Sequence, residues 1–177
     1  ELKMLADVGM VGYPNAGKST LLRRISKARP KTARYPFTTL HPVVGIVEFP
    51  DFFRFTIADI PGLIEGAHVN IGLGHGFLRH IERSRVLVYV LDAAAEDGRD
   101  PMDDFESLQR ELEWHQDGLT QRGGLVVINK TDLPAAQDNL PALRKKISLP
   151  TLEVSALTGE KTDDLPRRLR ELLEAKE

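Results

Sequence analysis

There is no cysteine among the 177 residues, which excludes a disulfide scaffold and any zinc or iron–sulfur site built on thiolates. No apolar run is long enough to cross a bilayer, and the longest, such as Val86 to Leu91, suit a buried strand. Aromatic residues are scarce at 6%, and 24 basic residues nearly cancel 26 acidic ones, for a formal net charge of −2. That balance argues against a protein that holds nucleic acid by bulk charge alone. What is present suits one domain: 41% of residues are apolar, and a chain of this length buries roughly 70% of its unfolded surface. The chain begins at Glu1 without a signal-like stretch, so it reads as a piece of a longer protein. A soluble intracellular domain is expected.

Short β-branched runs alternate with segments of helical period from end to end. Ala6 to Val11 is predicted to be a strand opening on a glycine-rich turn, followed by a helix from Lys18 to about Ala28. Val43 to Phe49 and Phe52 to Ala58 read as an antiparallel hairpin. Five glycines between Pro61 and Gly76 suit a hinge rather than a settled helix, and Phe77 to Arg83 then reads as helical. Beyond the strand at Val86, Asp100 and Pro101 are a cap and first residue for a helix running to about Asp117. Leu125 to Asn129 and Leu152 to Ser155 are further strands, separated by a helix carrying Leu140, Leu143 and Ile147. The last helix spans about Thr162 to Ala175, with Leu165, Leu169, Leu172 and Leu173 as its stripe. This alternation predicts an α/β fold, a mostly parallel sheet with helices on both faces.

Gly12, Tyr13, Pro14, Asn15, Ala16, Gly17, Lys18, Ser19 and Thr20 complete the pattern G-x-x-x-x-G-K-[ST] between a predicted strand and a predicted helix. Such a loop turns backbone N–H groups inward as an anion nest at the positive end of a helix. Lys18 would then reach the β- and γ-phosphates of a nucleotide, and the Ser19 hydroxyl would ligate Mg²⁺. Asp59, Ile60, Pro61 and Gly62 close a strand. Asp59 can hold Mg²⁺, through water, and Gly62 lets backbone approach and donate to a γ-phosphate. Asn129, Lys130, Thr131 and Asp132 fit N-K-x-D at the end of another strand. The Asp132 carboxylate can accept from N1–H and the exocyclic amine of guanine, whereas adenine would leave the charge unpaired. Recognition of this kind discriminates by about 10⁴–10⁵. Ser155, Ala156 and Leu157 follow in order and could present backbone N–H to the guanine carbonyl.

The ordered set GYPNAGKST, TT, DIPG, NKTD and SAL resembles a translation-factor-type GTPase domain. More narrowly, ELKMLADVGMVGYPNAGKST, YPFTTLHPVVGIV and DIPGLIEGAHVNIGLGHGFLRHIERSRVL resemble the Obg family of ribosome-associated GTPases. The resemblance implies a Ras-like P-loop GTPase fold: a six-stranded, mostly parallel sheet with one antiparallel edge strand. Residues 1–177 would form the G domain, with the family's glycine-rich N-terminal domain and any C-terminal extension outside this chain. By the family pattern Thr39, rather than Thr38, is the first-switch threonine that joins Mg²⁺ while the γ-phosphate is present. Phe37, Thr38, Leu40 and His41 would border the nucleotide, and Lys18, Thr39 and Gly62 would act on the transferred phosphate. The family commonly has an acidic residue where this chain has Arg34. Leu63 stands where Ras-like enzymes carry a water-orienting glutamine, so slow hydrolysis is implied. Other GTPases with this replacement and an asparagine at the position of Asn15 use K⁺; Asn15 is read either as such a ligand or as a turn residue.

The resemblance thus implies a Mg²⁺-dependent switch that binds GTP and GDP, hydrolyses GTP slowly, and works on the large ribosomal subunit or its precursor and rRNA. A ribosome-binding module in which hydrolysis is only a reset is one alternative, and an ATP-using phosphotransferase is another. The protein is expected to be monomeric, without a membrane span. It would be cytoplasmic if bacterial, or in a mitochondrial or plastid matrix if organellar. His68, His75 and His80 lack a carboxylate constellation and do not read as a metal site. Arg23, Arg24, Lys27, Arg29, Lys31 and Arg34 form a basic run without an acid, either a solvated face or an RNA contact. Trp114 is expected to anchor a helix from a partly buried position.

Overall fold

A computed structural model describes residues 6–34, 41–59, 84–122 and 124–177. The expected elements in 60–83, Phe77 to Arg83 among them, lie outside these residues. The strands are β1 (Val8–Val11), β2 (Lys31–Thr32), β3 (Val43–Glu48), β4 (Arg54–Asp59), β5 (Val86–Asp92), β6 (Gly124–Asn129) and β7 (Thr151–Glu153). The helices are α1 (Lys18–Ile25), α2 (Pro101–His115), α3 (Pro134–Lys146) and α4 (Asp164–Glu174). One sheet runs β2-β3-β4-β1-β5-β6-β7. β3 alone runs against the rest: it pairs antiparallel with both β2 and β4, while β4, β1, β5, β6 and β7 are parallel.

The mixed sheet is as expected, with one correction. It has seven strands rather than six, because the two-residue β2 adds an edge beside β3, which is therefore not itself the edge. Two residues carry no readable periodicity. The hairpin also differs in detail: β4 starts at Arg54, and Phe52 lies in the turn with φ 69°. Phe52 N–H donates to the Phe49 carbonyl and Phe49 N–H to that of Phe53, closing the turn before the ladder begins.

Alternation along the central strands sorts side chains onto two faces. Val86, Val88 and Val90 of β5 join Leu125 and Val127 of β6 under α1 and α4, where Leu21, Leu22, Leu165, Leu169 and Leu173 complete the layer. Leu87, Tyr89 and Leu91 point the other way with Val126 and Ile128, and meet Phe105, Leu108 and Leu112 of α2 and Leu140 and Leu143 of α3. Burial on both faces explains why β5 and β6 read as continuous apolar runs. α2 starts where expected: Asp100 Oδ1 accepts from Met102 N–H (2.7 Å) and Asp103 N–H (3.4 Å), with Pro101 in the first turn. Trp114 departs from expectation, being 61% exposed near the end of α2.

Asp104 is buried within α2. Burial pushes its carboxyl up to about 6; Arg99 opposes this, and the charges of Asp97, Asp92 and Asp100 add to it. Between the ordinary value of 3.8 and 6, the folded state keeps a proton that the unfolded chain has released. Stability therefore falls as pH rises through that window. Asp104→Asn should remove this slope, gaining on the order of 1–2 kcal/mol over the parent at pH 7.5 relative to pH 4. Urea midpoints of both chains at the two pH values measure it; parallel changes in the two chains would contradict it.

Candidate functional site

The parallel strands β1, β4, β5, β6 and β7 end on the same side of the sheet, and the loops that follow them meet there. In open α/β sheets this is the edge at which ligands bind. A cleft of about 680 Å³ opens at this place, lined on one side by Gly12, Pro14, Asn15, Gly17, Lys18, Ser19 and Thr20, with Asp59 beside them. Its other side is formed by Glu96, Asn129, Lys130, Asp132, Leu133, Ala156 and Leu157. Tyr13 is buried behind the loop, with the Arg99 guanidinium 4.0 Å over its ring.

The loop between β1 and α1 takes its shape from local backbone constraints. Ala16 N–H donates to the Tyr13 carbonyl (3.2 Å), and Asn15 turns through φ 70°, a conformation that asparagine tolerates better than most residues. Asn15 thus has a turn role, whatever ion it meets. Gly17 has φ 102°, and a Cβ there would stand 2.1 Å from Asn129 Nδ2. As N-cap it offers no side-chain acceptor, so the first N–H groups of α1 keep their capacity for an anion.

In the next two residues, Lys18 Nζ lies 3.2 Å from Asp59 Oδ1, and the Ser19 hydroxyl donates to Asp59 Oδ2 (3.3 Å). Asp59 is buried; among the described residues its Oδ1 has the ion pair with Lys18 but no hydrogen bond. A buried carboxylate oxygen still short of a donor, next to a serine hydroxyl, is the oxygen-rich setting that Mg²⁺ favours. Ser19 and Asp59 therefore fit as its holders. Of the remaining candidates, Phe37, Thr38, Thr39, Leu40, Ile60, Pro61, Gly62 and Leu63 lie outside the described residues. His41 is described, before β3, and its buried Nδ1 has no hydrogen bond among the described residues.

At the opposite end, buried Asn129 uses both halves of its amide. Nδ2 donates to the Ala16 carbonyl (2.9 Å), and Oδ1 accepts from Ala156 N–H (2.9 Å). It thus joins the phosphate-type loop to the loop after β7. Lys130 follows in the left-handed region at φ 67° and reaches Asp92 Oδ2 (3.1 Å) and Glu96 Oε2 (2.6 Å). Burial alone would lower its pKa, but the bonds to Glu96 and Asp92 outweigh that and hold the ammonium above its ordinary value. Thr131 N–H donates to the Val154 carbonyl (3.2 Å). Asp132 is exposed to the cleft and accepts from the Ser155 hydroxyl through Oδ1 (2.8 Å), while Ser155 Oγ accepts from Thr158 N–H (3.1 Å).

Several site residues escaped the motif reading. Asp92 holds its own loop by accepting from Ala94 N–H (2.9 Å) and Glu96 N–H (3.1 Å), besides pairing with Lys130. A lone Asp at the end of an apolar strand was the available signal. Arg24, one of the basic run, donates to the Ala156 carbonyl through Nε (2.8 Å) and to that of Leu157 through Nη2 (2.5 Å). Lys27 of the same run pairs with Glu48 (2.7 Å). Arg29, Lys31 and Arg34 remain exposed.

An anion nest with a lysine, an acid–serine pair, and a carboxylate poised for a purine edge define the class: a P-loop GTPase domain. A family profile described as "50S ribosome-binding GTPase" matches residues 7–130, and the chain belongs to that family. Proteins called GTPase Obg are similar to it over nearly its whole length. The one from Chloroflexus aurantiacus is 58% identical over 99% of this chain, and that from Roseiflexus castenholzii 55% identical over 98%. The chain spans only 40% of either relative. The resemblance to Obg proteins is thereby borne out. Among solved structures, the G domain of the T. maritima FeoB iron transporter superposes with a TM-score of 0.66 at 19% identity, covering 93% of this chain and 96% of that one. An Aquifex aeolicus Era variant bound to GDP and AlF₄⁻ gives 0.65 at 23% identity, covering 94% and 56%. These two establish the fold.

Asn129→Ala should strand a buried carbonyl at Ala16 and a buried N–H at Ala156 together. The expected loss is about 2–4 kcal/mol of stability in urea denaturation, with nucleotide retention lost as the cleft's two halves part. A chain that keeps both stability and retention would contradict this role.

Proposed function

We propose that this chain binds GTP and GDP with Mg²⁺ and slowly hydrolyses GTP to GDP and phosphate. The observation that carries the proposal is the convergence in one cleft of Lys18, Ser19 and Asp59 at one end with Asp132, held from behind by the buried Ser155 hydroxyl, at the other. Phosphoryl transfer asks a protein for positioning and charge stabilisation more than for covalent chemistry. The nest at Asn15 to Gly17 and the helix N-terminus orient the phosphates, and Lys18 would leave Asp59 to neutralise them. Ser19 and Asp59, with Thr39 by the family pattern, would hold Mg²⁺, which would supply positive charge to offset that of the polyphosphate. No described side chain is placed as a general base, and Leu63 cannot hydrogen-bond a water. Slow turnover is the consequence.

Base choice follows from Asp132. Its carboxylate has about four lone-pair sites, and the Ser155 hydroxyl uses one. The others suit the two donors of guanine, so GTP and GDP should outcompete ATP by orders of magnitude. Asp132→Asn should weaken guanine binding at least about 100-fold and favour xanthine nucleotides, whose ring carbonyl can accept from the new amide. Competition binding with GDP, XDP and ADP tests this; equal affinity of the unmodified chain for ATP and GTP would refute the guanine reading, leaving an ATP-using phosphotransferase.

We also propose that the longer parent protein is a nucleotide-gated partner of the large ribosomal subunit or its precursor. The family description and the Obg relatives support this, together with exposed Arg29, Lys31 and Arg34 on one side of the domain. Reversing the charge at Arg29 and Lys31 should weaken association with ribosomal particles several-fold and flatten its salt dependence, leaving GDP affinity unchanged. Pull-downs of particles by the full-length parent, with a GTP analogue and with GDP, measure both effects. Binding that ignores nucleotide and charge alike would count against the switch and the basic contact together.

A further inference from the structure

We propose that Arg24 is the positioning residue of the base-side loop and sets how long a guanine nucleotide stays bound. The inference rests on the reading that the cleft takes a guanine nucleotide. Arg24 leaves α1, the helix that begins at the phosphate-type loop, and reaches a carbonyl 132 residues away. Its Nε and Nη2 bind the Ala156 and Leu157 carbonyl oxygens at 2.8 and 2.5 Å.

The consequence follows from peptide planarity. The Ala156 carbonyl and the Leu157 N–H belong to one planar trans unit, so they point in opposite directions. Gripping the carbonyl from α1 turns the Leu157 N–H away from Arg24. The preceding peptide is held as well, because Ala156 N–H donates to Asn129 Oδ1 (2.9 Å). Ser155 N–H is spent on the Glu160 carbonyl (3.1 Å) and Thr158 N–H on Ser155 Oγ (3.1 Å). Among the described residues Ser155 to Thr158, Leu157 N–H is thus the backbone donor left for a ligand, in a residue that lines the cleft. Asn129 and Arg24 fix two successive peptide planes, and the second aims that donor.

A separate feature shows the loop shaped around the guanidinium. Gly159 has φ 90°, and a Cβ there would meet Arg24 Nη1 at 3.0 Å and Cζ at 3.3 Å. Bonds between a charged donor and carbonyls are stronger than neutral ones, and Lys cannot reproduce a two-nitrogen grip. Part of the basic run therefore serves base recognition rather than RNA.

The test compares GDP dissociation with retention of a ligand that has no base. Arg24→Ala in the 177-residue chain should accelerate release of a fluorescent GDP by about tenfold or more. Affinity for inorganic tripolyphosphate, which touches only the phosphate end, should stay within about twofold. Arg24→Lys should fall between the parent and Arg24→Ala. GDP release unchanged in Arg24→Ala overturns the proposal, as does equal loss of GDP and tripolyphosphate binding, which would mark a general structural role. Parent chain that retains ADP as long as GDP overturns the guanine reading and this inference with it. GDP-selective retention that ignores Arg24 overturns the inference alone.

Discussion

One neutral amide ties the loops on the two sides of the cleft directly to each other. Asn129 ends β6 with its side chain buried, and each half of the amide meets a different loop. A carboxylate at that place could accept from Ala156 but could not donate to the Ala16 carbonyl; an alkyl group could do neither. The same amide explains Gly17, since any side chain there would collide with Asn129 Nδ2. The first residue of N-K-x-D therefore belongs physically to the phosphate loop, and the last, Asp132, lines the cleft. Two motifs separated by more than a hundred residues of chain share one hydrogen-bond system.

Charge in the cleft is arranged on the same plan. Lys18 rests on Asp59, and Lys130 on Asp92 and Glu96. Parallel register brings Asp92 level with Asn129, so the pairing partner of Lys130 comes from the neighbouring strand. Such pairs stabilise a fold little once desolvation is counted, and their value lies in orientation. A nucleotide polyphosphate would compete with Asp59 for Lys18, whereas the Lys130 pair lies on the other wall and can persist. With a nucleotide bound, Lys18 would exchange its partner while Lys130 keeps its own.

What the sequence made legible divides along physical lines. β5 and β6 were readable because burial on both faces leaves an unbroken apolar run, and α2 because its Asp–Pro cap is a local interaction. The ordered motifs located Lys18, Asp59, Asn129 and Asp132, since Asp59 and Asn129 end parallel strands, Lys18 and Asp132 follow strand ends across short loops, and parallel strands end together. β2 was not readable, because two residues cannot show a period. Phe52 has the composition of a strand residue, yet the hairpin closes by turning it through positive φ, where bulky residues are rarely found. Trp114 points outward although its helix is otherwise patterned as expected. Arg24 escaped for a different reason. Its partners are backbone carbonyls, which every residue has, so no side chain at 156 or 157 signals the contact.

The direction of the hydrogen bonds around Asp132 completes the logic of base recognition. Thr158 N–H can only donate, so it commits a lone pair of the Ser155 oxygen and leaves the hydroxyl proton to point elsewhere. That proton goes to Asp132 Oδ1. The chain from backbone to hydroxyl to carboxylate has one sense, set at its start by a group that cannot reverse. Asp132 therefore receives a bond that anchors one oxygen, while its remaining acceptor sites stay open to the cleft. A base offering two adjacent donors satisfies such a carboxylate; one offering an acceptor meets it with repulsion. On the guanine reading, selectivity would originate outside the carboxylate itself, in the loop that Asn129 and Arg24 hold in place.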